Sequence, residues 1–336
     1  MPIRPGARSQ QTHSRRAILA GSAALVASSL AGPARAAYPE RAIKLIVPFP
    51  PGGLFDTVGR PLADRLKGGL GTIVIENIAG AGSSRGAGMA ARAEADGYTL
   101  ILGGNGSHVL MPLASTKLTY DPVRDFEPAA FICTSSLGIA VHPSQPYQTL
   151  SELVEAARKD SAKLTFGSAG TGTLAHLTGE MFKSIIGAPG IVHVPYSGGG
   201  PLSNDLLGGH IPLAMVNLTN QFFELHAAKK LRILAVTTPA RLAVAPDIPA
   251  AVETVPGMIS QNFAGLFAPK GTKPEIIKQI ETATAEALKD DELRKIYAGG
   301  GFVVGTDNSA EAMRKFLADE IVRWGRVVQA SGFKLN

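Results

Sequence analysis

Cysteine is nearly absent from this 336-residue chain, Cys133 being the only one. No intramolecular disulfide can form, so the fold must rest on its core. Aromatic residues are few, 6% with a single tryptophan, which leaves aliphatic side chains to fill most of that core. Acidic residues are missing from residues 1–36, which carry Arg4, Arg8, Arg15, Arg16 and Arg35. Runs long enough to cross a membrane are missing too once the N-terminus is set aside. There, Ser14, Arg15 and Arg16 precede an apolar run over residues 17–31. Ala34, Arg35 and Ala36 follow as a small-x-small cleavage site, so residues 1–36 read as an export signal into the periplasm. The paired arginines suggest the twin-arginine route over the general one. No cysteine stands after the run, so a lipid anchor is not indicated. Cleavage would remove five of the 33 basic residues, leaving 28 against 27 acids. The formal charge of +6 thus belongs mostly to the leader, and nucleic acid and acidic lipid lose support as partners.

What is present is glycine and proline in particular places. An apolar run, residues 43–47, feeds into PFPPGGLFDTVGR at residues 48–60. The prolines stop a strand, since proline fixes φ and donates no ladder hydrogen bond. Gly52 and Gly53 allow a tight path, and Val58, Leu62 and Leu66 then recur at helical spacing. Strand, glycine turn and helix point free N–H groups at one spot, which favours an anion without a cationic side chain.

The pattern repeats along the chain. Strands are expected at residues 72–76 and 98–102, with a loop at 77–84, a helix at 86–95 and a glycine-rich end at 103–107. A β-rich stretch at 127–141 leads away, and Ser151 is expected to cap a helix to residue 159. Strands at 163–166, 191–194, 211–216 and 231–236 follow, with helices from 174 and 201. Residues 239–258, holding four prolines, read as a long surface loop. A return strand at 263–268 and helices from 274, 290 and 309 complete the chain. Alternating elements imply doubly wound parallel sheets, whose sites lie beyond the carboxyl ends of the strands. Ser83, Ser84, Asn105, Ser107, Tyr196 and Asn217 sit in such turns and are candidate ligand groups. Two lobes are expected, residues 37–140 with 260–336 and residues 141–259. The chain crosses between them near 140 and near 260, which makes a hinge.

Read together, PFPPGGLFDTVGR, ENIAGAGSSRGAG, ADGYTLILG, HVPYSGGGPLSNDLLGGHI, LAVTTPARLAVAPDIP and GLFAPKGT resemble the substrate-binding proteins of the tripartite tricarboxylate transporter family, the Bug/TctC-like receptors. The resemblance implies a type II periplasmic binding protein: an α/β fold of two doubly wound lobes joined by a two-crossing hinge. It also implies capture of an organic carboxylate, no cofactor, a monomeric receptor, and a membrane transporter partner with a large and a small subunit. Carried over from the family, the first turn (Gly52, Gly53, Leu54, Phe55) would wrap a carboxylate with backbone N–H groups and ordered waters, with Asp56 bracing the loop or contacting water and ligand. Ser168, Gly170, Thr171, Gly172 and Thr173, followed by His176, match the second clamp, and Asp205 matches the acid after the VPY motif. Ser197, Ile78, Ser84 and Phe263 depart from the residues usual at their positions, which bears on the ligand and not on the class.

Other signals carry less. Residues 82–86 fit the G-x-S-x-G pattern of a hydrolase using Ser84, but the elbow needs its serine directly after a strand. Gly80, Gly82 and Gly86 approximate a dinucleotide fingerprint, yet the next strand ends in glycine and not in a ribose-binding acid. His176 and Glu180 have metal spacing without a third ligand; a histidine holding its loop by hydrogen bonds is the plainer reading. His108, His142, His193, His210 and His226 read as structural or surface, and Cys133 as core. A sensor presenting its closed form to a signalling kinase would use the same ligand site as a transport receptor.

Overall fold

The computed structural model describes residues 1, 38–51, 54–115, 117–331 and 334. The expected leader and its cleavage site, apart from Met1, lie outside the described residues, as do Gly52 and Gly53. Arg41–Asn336 form one unit, distinct from Met1–Glu40, and all the strands and helices described belong to it.

In chain order β1 (Ile43–Val47), α1 (Leu54–Leu70), β2 (Ile73–Asn77), α2 (Ser84–Ala91) and β3 (Thr99–Gly103) come first. A π-turn (Gly106–Leu110) and a single turn of helix, α3 (Met111–Ala114), lead to the long strand β4 (Phe126–Val141). Then come α4 (Leu150–Lys159), β5 (Thr165–Ser168), α5 (Leu174–Ile186), β6 (Val192–Pro195), α6 (Gly199–Leu207), β7 (Leu213–Asn217), α7 (Asn220–Ala227) and β8 (Arg232–Val236). The chain closes with β9 (Gln261–Pro269), α8 (Pro274–Ala287), α9 (Asp291–Gly299), β10 (Phe302–Val304) and α10 (Ala310–Ser331).

Among the described residues the strands run in the order β2-β1-β3-β9-β4-β7-β5-β6, with β10 and β8 also paired to β4. β1 lies parallel between β2 and β3, and β5 parallel between β6 and β7. These are the two wound half-sheets. The spine joining them is antiparallel: β9 pairs with β3 and β4, and β4 pairs with β7 and β8. β4 changes partner along its length, facing β9 up to Ser136 and β7 from Leu137 on. A 16-residue strand can serve both halves because it is buried almost throughout. Bulges near Pro128, Phe131 and Ile139 bend it between them.

Several local expectations need correction. The cap of α4 is Thr149, whose hydroxyl accepts from the Glu152 N–H, and not Ser151. Residues 239–258 are not a surface loop: Leu242, Ile248, Ala251, Val255 and Met258 are buried anchors spaced without a period, and Val236 bridges to Ala250. The turn at Ala81–Ser83 is a short 3-10 segment inside the expected loop. Of the histidines read as structural or surface, His108 is a buried, structural one. Cys133 is buried in β4, as its apolar neighbours suggested.

α10 packs on β4, on the π-turn and on α5, with Trp324, Met313 and Leu317 in the same core cluster as Phe131 and Phe263. Burying a side chain of that size is worth about 1.5–3 kcal/mol. Within α10, Glu320 is buried among Asn105 Nδ2 at 3.2 Å, Trp324 Nε1 at 2.9 Å and the Arg323 guanidinium at 3.0 Å. Burial pushes its carboxyl above the usual range, against the opposing pull of Arg323.

Candidate functional site

A cleft of about 810 Å³ opens where α1 and α5 begin. The first half-sheet contributes Phe49, Leu54, Phe55, Ser84, Gly106 and Met111, and the second contributes Thr171, Gly172, Thr173, Leu174, Ala175 and Asn217. Asn262, on the spine strand β9, also lines it. A second cavity of about 890 Å³ adjoins it and shares Leu54, Ala169 and Asn217. The first amides of a helix lack intrahelical acceptors, and the helix dipole places partial positive charge there. The N–H groups of Leu174 and Ala175 have no protein acceptor among the described residues. Among the described residues no Asp or Glu lines the cleft.

The first wall is held by ionic and polar side chains. Asp56, buried in the first turn of α1, receives Arg60 Nε at 2.8 Å and Asn77 Nδ2 at 3.0 Å. Asn77 Nδ2 also donates to the Phe49 carbonyl at 3.1 Å, so the end of β2 ties down the proline turn. Hydrogen bonding to Asp56 raises the Arg60 pKa, and the guanidinium stays charged at any ordinary pH. Phe49 stacks on Phe55 with ring centroids 4.4 Å apart. Gly104 is required behind Phe55: a Cβ there would lie 2.2 Å from Phe55 Cζ and 2.5 Å from the Phe263 carbonyl. Ala81 and Ser83 hold positive φ, 46° and 80°, a strained path that brings this turn to the cleft rim.

The second wall is held by neutral groups. His193 Nε2 meets Ser168 Oγ at 2.7 Å, and Ser168 Oγ also donates to the Gly170 carbonyl. His176 Nδ1 accepts the Gly172 N–H at 3.1 Å. Gly172 has φ 79°, a left-handed conformation that suits glycine. Thr173 caps α5 by accepting from the His176 N–H, while its hydroxyl donates to the Gly170 carbonyl at 2.7 Å. The two imidazoles stack, centroids 4.0 Å apart. Burial first, then nearby positive charge, lowers both pKa values to about 4.

The sequence candidates therefore divide. Leu54, Phe55, Ser84, Thr171, Gly172, Thr173 and Asn217 line the cleft. The Thr171 hydroxyl and the Asn217 amide nitrogen have no partner among the described residues, while Asn217 Oδ1 accepts from Asn262. Asp56, Ser83, Asn105, Ser107, Ser168, Gly170, His176, Tyr196 and Asp205 are not among the lining residues. Asn105 donates to Glu320 and accepts the Phe263 N–H. Ser107 bonds Gly104 and His108. Tyr196 donates to Asp205 at 2.8 Å. Ser83 donates to the Gly82 carbonyl. Gly52 and Gly53 are outside the described residues. Sequence reasoning missed Phe49, Leu110, Met111, Lys117, Leu118 and Asn262, most of which come from a segment with no period.

Ser84 opens a helix, with its hydroxyl given to the Ala81 carbonyl, and no imidazole is bonded to it. Among the described residues no group of three or more His, Cys, Asp or Glu could hold a metal ion.

Two wound half-sheets on a shared spine, with helix starts opposed across a cleft, define a two-lobed solute-binding protein of the type II periplasmic class. The profile of the tripartite tricarboxylate transporter family receptor, TctC, matches residues 58–333, and the chain belongs to that family. Bordetella pertussis BugT is 32% identical over 318 residues, 93% of this chain and 96% of BugT. The solved structure of the periplasmic binding protein BugD superposes with a TM-score of 0.75 at 30% identity, over 88% of this chain and 99% of that one. That of R. palustris Rpa4515 with adipate gives 0.78 at 32%, over 89% of this chain and 99% of that one. Such relatives are periplasmic solute receptors, and this chain is a receptor of that kind and not an enzyme. Among the described residues no helix is long and apolar enough to cross a membrane.

Proposed function

We propose that the protein is exported by its residue 1–36 leader, captures a small organic carboxylate between two lobes, and delivers it as a monomer to a tripartite membrane transporter with a large and a small subunit. The lobes are residues 37–140 with 260–336, and 141–259, closing on the β4/β9 spine. The observation that carries this reading is the pair of helix starts, Leu54 and Leu174, at a cleft that no acid lines among the described residues. An anion placed there meets free amides and two dipoles without a buried counter-charge to displace. Thr171, Asn217 and the amides of Leu54, Phe55, Leu174 and Ala175 are the donors. Adipate in the R. palustris relative supports the same ligand class.

Titration calorimetry of the mature protein against mono-, di- and tricarboxylates, aromatic acids and acidic amino acids tests it. Binding of at least one acid is expected, and its ester should bind more weakly. Thr171→Val should weaken that binding by about 1–3 kcal/mol, since it removes a donor to a buried anion. Recognition of neutral sugars alone would overturn the reading.

A further inference from the structure

The proposed carboxylate site occupies only one pole of the cleft. Besides the helix starts, the lining holds the apolar Phe49, Leu110, Met111 and Leu118, together with the polar Ser84, Ser115, Asn217 and Asn262. One charged side chain lines the cleft among the described residues, Lys117. It is exposed and forms no ion pair with the described residues; only its backbone N–H is engaged, to Ser115. An unpaired ammonium group beside an apolar wall has no structural task in the protein that the contacts reveal. It is placed to meet charge brought in by a ligand.

Resting on the carboxylate reading above, we infer that Lys117 is the second pole of the site and that the ligand is two-headed. One carboxylate sits at the neutral amides of the helix starts, an apolar chain or ring lies along the Phe49–Leu118 wall, and a second carboxylate meets Lys117. This chemistry selects extended or aromatic dicarboxylates. It disfavours compact, hydroxyl-rich acids such as malate and citrate, which would leave those apolar side chains uncovered. It also disfavours plain monocarboxylates, which leave the ammonium unmatched. The two poles differ in kind: amides accept any carboxylate, whereas Lys117 sets length and valence.

The test uses the mature protein and calorimetry with adipate and hexanoate, which share a chain length and differ by one carboxylate, together with citrate. Adipate should bind about tenfold or more tightly than hexanoate, as a charge-assisted hydrogen bond provides, and more tightly than citrate. Lys117→Met should bring adipate down to the hexanoate level while hexanoate changes by less than about twofold. Because Lys117 is exposed, the variant should keep the wild-type melting temperature. An unchanged adipate-to-hexanoate ratio in Lys117→Met overturns the inference while leaving the carboxylate reading intact. So does citrate binding best. So does loss of the ratio in Lys295→Met, the cation of the adjoining cavity, in place of Lys117→Met. If no carboxylate, mono-, di- or tri-, binds, both readings fall.

Discussion

On one side of the cleft Asp56 is held by Arg60 and Asn77; on the other, loop 168–173 is held by His176 and His193. The two walls do the same work, each holding the start of a helix at the edge of the cleft. The first does it with a charge pair that half-exposed Arg60 keeps in contact with water. The second does it with imidazoles that must stay neutral, since the Gly172 N–H needs a lone pair on His176 Nδ1. The walls should therefore respond differently to acid. Both histidines have folded-state pKa values of about 4, below the ordinary value near 6.5. Between about pH 6.5 and pH 4 the unfolded chain takes up protons that the folded chain refuses, so stability falls as pH falls across that window and levels off on either side. His108, buried with its pKa lowered to about 3, extends the same trend to lower pH.

The largest effect should come from crowding the first wall. Gly104→Ala drives a methyl into Phe55 and the Phe263 backbone and should cost about 2–3 kcal/mol in urea unfolding, with weakened ligand binding because Phe55 lines the cleft. Next, His176→Phe keeps an aromatic ring on His193 but removes the acceptor for Gly172. A loss of about 1–2 kcal/mol at pH 7 is expected, with a shallower decline between pH 6.5 and 4. An unaltered acid limb would break the comparison. Smallest, Asp56→Asn keeps an acceptor for Asn77 and gives up the ion pair with half-exposed Arg60, so the loss should stay at about 1 kcal/mol, with the decline between pH 6.5 and 4 unchanged.

Much of this architecture could be read from the chain itself. The first strand and helix were legible because residues 43–47 are mostly apolar and Val58, Leu62 and Leu66 recur at helical spacing. The antiparallel spine was not, because pairing direction is set by where β9 returns and not by its composition. α7 went unseen: eight residues with Phe222 and Phe223 adjacent show no helical period. The anchors in residues 239–258 were hidden by their prolines. At the site, glycine-rich turns marked the place, but not which hydroxyls are free. Ser168 is taken by His193, 25 residues away, and Asn105 by Glu320, 215 residues away. Lys117 carried no local signal, since its role depends on the apolar wall and the helix starts being brought to it by the fold.

A crystal structure of the mature protein with adipate bound tests the central claim most directly. One carboxylate should lie about 2.7–3.1 Å from backbone N–H groups at the starts of α1 and α5, with no cationic side chain touching it. A carboxylate held at that pole by lysine or arginine, or helix-start amides facing only solvent, would contradict it.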